Sequence, residues 1–96
     1  MRRKVQGAVE RIDAFGNLIT DIAAGHLAAA PRGETTRVRC GEHETFGIFG
    51  GYDDQPELTL VALLGSSDKL ELAIVGDSAA AMLGVPVGTP VTVEWQ

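Results

Sequence analysis

Leu58-Thr59-Leu60-Val61-Ala62-Leu63-Leu64-Gly65-Ser66-Ser67-Asp68-Lys69-Leu70-Glu71-Leu72-Ala73-Ile74-Val75 decides the fold class. Residues 58–64 form a near-continuous apolar run, the pattern of a central strand buried on both faces. Gly65-Ser66-Ser67-Asp68 breaks it with turn-forming residues. From residue 69 to 75 the strand pattern resumes, with Leu70, Leu72 and Ile74 on one face and Glu71 on the other. Two strands joined by a short Gly/Ser/Asp turn are a hairpin, and Ser66 and Ser67 fall at its tip.

Downstream, Asp77 or Ser78 can cap a short helix over residues 78–83, with Gly84 at its end and Pro86 preventing continuation. Free N–H groups at its start, near Ala79, suit a ligand acceptor. Residues 90–95 alternate, with Val91, Val93 and Trp95 inward. Upstream, residues 35–40 alternate strictly: Thr36, Val38 and Cys40 point one way, Arg37 and Arg39 the other. A fourth strand over residues 43–49 would place Phe46 and Ile48 on one side. The loop at 50–56 carries Tyr52 at its tip. Residues 5–12 are strand-like but change phase, which calls for a bulge near Gly7 or Arg11. Residues 18–22 form a second short strand, and the Ala-rich piece 23–30 suits one or two helical turns, with His26 as a surface or capping residue.

The count is about seven strands and one short helix, and no helix is long enough to cross over a parallel sheet. The expected class is all-β, a closed or nearly closed barrel, because so small an open sheet would leave costly edges.

Composition narrows the function. Ninety-six residues suit one domain with one core. A net charge of −5 argues against a nucleic-acid binder, which needs a basic face. Cys40 is the only cysteine, so no internal disulfide forms, and it reads as a small core residue. His26 and His43 show no metal-ligand spacing. No apolar run approaches the ~20 residues of a membrane span, and no signal peptide is visible, so the expected compartment is the cytoplasm.

Ile12-Asp13-Ala14-Phe15-Gly16-Asn17-Leu18-Ile19-Thr20-Asp21 is the candidate site. A turn at Gly16 could aim the Asp13 carboxylate, the Phe15 ring and the Asn17 amide at one spot, a set suited to a small polar ligand with a flat ring. The plainer alternative is a β-turn closed by an Asx-type backbone bond.

Residues 7–20 together with residues 66–84 resemble the C-terminal domain of the S-adenosylmethionine hydroxide adenosyltransferases, the family that includes the fluorinating and chlorinating enzymes. The carriers are Asp13-Ala14-Phe15-Gly16-Asn17, Leu70-Glu71-Leu72-Ala73, Gly76-Asp77-Ser78-Ala79-Ala80 and Leu83-Gly84. The resemblance implies a Greek-key barrel that recognises an adenosyl ligand. S-adenosylmethionine would be the substrate, with no further cofactor or metal. By position Asp13 would meet the methionine amino group, Phe15 and Asn17 the adenine, Ser66 the methionine carboxylate and the backbone near Ala79 the adenine edge. The family's reaction is attack by hydroxide or halide at the 5′ carbon, in a site shared with the N-terminal α/β domain of a neighbour in a trimer. That domain has no counterpart in these residues. The expectation is therefore a recognition half, inactive alone, either a separate chain that works with an N-terminal-domain chain and in a homotrimer or a piece excised from a longer enzyme. A barrel that keeps the fold but binds a protein partner is the alternative. Departures from the family pattern are Asp21 in place of Asn, Gly65-Ser66 in place of Asn-Ser, and Asp68-Lys69 in place of a glycine often followed by an aromatic.

Overall fold

A computed structural model describes residues 3–51, 55–65 and 67–96. Its strands are β1 (Arg3–Ile12), β2 (Leu18–Ala23), β3 (Arg37–Cys40), β4 (His43–Phe46), β5 (Leu60–Leu64), β6 (Lys69–Ile74) and β7 (Pro90–Trp95). A 3₁₀ turn covers Ala24–Leu27, and the one α-helix among the described residues is α1 (Ala79–Leu83). The sheet runs β4-β3-β7-β1-β2-β6-β5 with every neighbouring pair antiparallel. Long return connections of the Greek-key kind put β7 between β1 and β3.

The two ends of that order meet. Phe49 N–H donates to Ala62 O (2.9 Å) and Leu64 N–H to Phe49 O (2.9 Å), while the Thr45 hydroxyl donates to Leu60 O (2.8 Å). This short seam nearly closes the barrel and covers an edge that would otherwise expose unpaired backbone groups.

The 58–75 hairpin forms, with β5 paired to β6 from Leu60↔Ile74 to Leu64↔Leu70. β5 is last in the strand order, however, and not central. Its apolar run has a different cause: Ala62 faces the main core, while Val61 and Leu63 pack with Ala73 beneath Phe49 on the other face. The strand also starts late, since Leu58 has φ 64° and is exposed. A second difference lies after β4. Gly47 at φ 90° turns the chain, so Ile48 enters the core while Phe46 stays half exposed.

Elsewhere the alternation holds. Thr36, Val38, Cys40, Val91, Val93 and Trp95 are all buried. The bulge in β1 falls between Val9 and Arg11. His26 Nδ1 accepts the Ala23 N–H at 3.3 Å, a capping role. The core side chain of Cys40 has its thiol pKa raised by desolvation. A thiol reagent at pH 8 is expected to label Cys40 only after denaturant unfolds the chain. The unfolded thiol ionises first, so stability falls as pH rises through the ordinary thiol range. Labelling of the native protein at the unfolded rate would contradict this burial.

Two side chains stitch irregular backbone. The β2–β6 register jumps between Ile19 and Ala23. There the fully buried Thr20 hydroxyl donates to Leu70 O (2.7 Å) and accepts from Ile22 N–H (3.2 Å). Asp21 Oδ1 accepts from Ala8 N–H at 2.9 Å and would lie 2.3 Å from any Cβ at Gly7. An Asn at position 21 would offer Ala8 N–H the same acceptor oxygen.

Candidate functional site

The β1–β2 connection is built around Asp13. Its N–H donates to Asn17 O and its carbonyl accepts Gly16 N–H, both at 3.1 Å. Asp13 Oδ1 accepts the N–H groups of Phe15 and Asn17 at 2.9 Å each, and Oδ2 accepts from Asn17 Nδ2 at 3.2 Å. The Asx-type turn and the presented side chains are thus the same object. Three of the roughly four acceptor positions of this carboxylate are used within its own loop. Clasping Nδ2 also fixes the Asn17 amide, whose carbonyl oxygen and second N–H have no hydrogen-bond partner among the described residues. Phe15 stands out of the loop, 80% exposed.

The second wall is the start of α1. Ser78 is the N-cap: its Oγ accepts Ala81 N–H at 3.1 Å, and its own N–H donates to Asp77 Oδ1 at 2.7 Å. Ala80 N–H donates to Gly16 O at 2.9 Å, which locks the helix onto the turn. Gly84 at φ 67° closes the helix by donating to Ala80 O. These bonds use the other early amides and leave the Ala79 N–H without a partner among the described residues. Gly16 sits so close to the cap that a Cβ there would lie 2.0 Å from Ser78 Oγ.

Between the walls lies an open cleft of about 350 Å³ lined by Phe15, Asn17, Ile74, Gly76, Asp77 and Ser78. The structure therefore brings Phe15 and Asn17 together with Asp77 and Ser78, and Asp13 supports them from behind, while Ala79 is fully buried in the core beneath the cleft. Ser66 lies outside the described residues. Its flanks place the hairpin at the far end of β2, where Ala24 N–H donates to Asp68 O and Ala23 pairs with Lys69. The length of β2 separates that hairpin from the turn, roughly 17 Å at the usual strand rise. Lys69 is committed to Glu10, with Nζ 2.6 Å from Oε2. Asp77 was missed as a cleft residue because Gly76-Asp77-Ser78 reads as helix capping. The available signal was an acid directly after a glycine turn and before the helix amides.

Among the described residues no cluster of three His, Cys, Asp or Glu side chains could hold a metal. No helix there is long and apolar enough to cross a membrane.

A family model described as the SAM hydroxide adenosyltransferase C-terminal domain matches residues 7–92. The fold is similar to the crystal structure of an uncharacterized conserved protein from Thermotoga maritima, with TM-score 0.79 and 28% identity over 94% of this chain and 35% of that one. It is also similar to a conserved hypothetical protein from Thermus thermophilus, with TM-score 0.74 and 35% identity over 92% and 34% of the respective chains. The chain spans about a third of the length of these two structures. A comparison with curated proteins finds no match.

Proposed function

This chain belongs to the SAM hydroxide adenosyltransferase C-terminal domain family, and from that premise we propose that it is the adenosyl-recognition half of such an enzyme. The observation that carries this reading is the pairing of an exposed Phe15 ring with a clasped Asn17 amide at one cleft. A carboxamide with one free oxygen and one free N–H matches the amino group and adjacent ring nitrogen of adenine in a bidentate pair. An exposed phenyl face offers stacking, worth about 1–3 kcal/mol per base.

In this reading the adenine lies at the turn and the methionine portion runs along β2 toward the hairpin of Ser66. Asp13 orients the loop that presents Phe15 and Asn17, and stays at the adenine end of the ligand. The barrel supplies recognition only. Attack at the 5′ carbon calls for groups positioned on the open side of the cleft, from an N-terminal-domain chain or a neighbouring subunit.

Binding to the barrel alone should be about millimolar, since half a pocket leaves the ligand largely solvated. Amide chemical shifts during titration with adenosine or S-adenosylmethionine should move at Phe15–Asn17 and at Ala79–Ala80. Asn17→Ala should abolish the movement. Perturbation that survives unchanged in Asn17→Ala would overturn the assignment.

A second reading has its own observation. Ile12, Phe15, Met82 and Val87 are large apolar side chains left exposed, and such groups are common where a partner docks. Co-expression with a candidate N-terminal-domain chain separates the two. Adenosine production supports the recognition half, and a stable complex without turnover supports the interaction barrel.

A further inference from the structure

We propose that Asp77 sets the specificity of this cleft, selecting rings with an exocyclic amino group over their oxo counterparts. The inference rests on the adenosyl reading above and extends it to a residue to which that reading gives no role. Asp77 lines the cleft with Asn17 and Phe15. One carboxylate oxygen is held by the Ser78 N–H at 2.7 Å, which fixes the side chain at the mouth. The other accepts no hydrogen bond among the described residues. Among the described residues Asn17 Oδ1 is a second acceptor without a hydrogen bond, and no Lys or Arg lines the cleft.

A ring amino group has two hydrogens, and these two acceptors can take one each. A ring oxygen at the same position would instead face two acceptors, one of them charged. Discrimination of this kind reaches several orders of magnitude in buried sites. Here the cleft is open and water softens the mismatch, so the expected preference is about tenfold.

The test is a titration of the full chain with adenosine and, separately, inosine, followed by amide chemical shifts. The wild type should bind adenosine about tenfold more tightly. Asp77→Ala should bring the two affinities within about twofold while leaving weak adenosine binding. Asp77→Ser should do the same, because its hydroxyl still offers the backbone an acceptor but is too short for the cleft. It covers the case in which Asp77→Ala loosens α1. Asp77→Asn, whose one oxygen is held by the Ser78 N–H and whose NH2 then faces the cleft, should lose the preference or favour inosine. A folded Ala or Ser variant that keeps the wild-type ratio overturns the role of Asp77 while leaving the adenosyl reading intact. A wild type that binds neither nucleoside overturns both.

Discussion

Gly16→Ala is expected to cost about 3 kcal/mol of stability and to erase ligand binding together with it. Gly16 has φ 85°, where a Cβ alone costs about 1–2 kcal/mol. The new methyl would also lie 2.0 Å from Ser78 Oγ, 2.6 Å from its Cβ and 3.0 Å from its Cα. The hydroxyl could swing aside, but the Cα belongs to the backbone that starts α1. Relief therefore requires the turn and helix to separate, at the expense of the Ser78 cap, worth about 1 kcal/mol, and of the Ala80-to-Gly16 bond. For a domain of this size the loss corresponds to a fall in melting temperature of about 15 °C. Calorimetry measures the first effect and the amide shifts of α1 the second. A variant that melts within a few degrees of the wild type would show that the contact is not tight.

Thr20→Val should cost about as much by a separate route. The substitution keeps shape and removes one hydroxyl, yet two backbone groups lose their partner: Leu70 O and Ile22 N–H. Position 20 is fully buried, so water does not replace the lost bonds. Each orphaned group costs about 1–3 kcal/mol, giving roughly 3 kcal/mol in all. Thr20→Ser should lose only about 1 kcal/mol, the share of a buried methyl. Urea unfolding of the two variants side by side measures the difference. Equal losses would mean that the methyl, and not the hydroxyl, matters there.

These two positions also show what a linear sequence conveys. Strand pattern was legible because a pleated sheet alternates its faces. Residues 35–40 and 90–95 give away their inward residues, and the phase change before Ile12 gives away the bulge. The turn at Gly16 was legible for a similar reason, since Asp, Gly and Asn have strong local preferences. The role of Thr20 was not, because its bonds compensate for a register jump between β2 and β6, strands far apart along the chain. The order of the strands was hidden in the same way. Residues 60–64 are apolar on both faces whether neighbouring strands or the Phe49 segment cover them, so the run alone could not reveal an end strand. Of the candidate site, Asp13, Phe15 and Asn17 stood together in sequence, and Gly76-Asp77-Ser78 marked the helix start. What joins them is the Ala80-to-Gly16 bond between residues 64 positions apart. No local preference encodes it.

The pairing of the first strand with the last has a kinetic consequence. β1 is zipped to β7 from Arg3↔Trp95 to Ala8↔Pro90, so nearly the whole chain forms the loop that this contact closes. Closing so long a loop loses entropy before any packing rewards it, which places folding in the millisecond-to-second range typical of barrels. During synthesis β1 waits, unpaired along that edge, until residues 90–95 have left the ribosome. The strand completed last of the seven lies between β1 and β3, so the barrel closes only once β7 has been made.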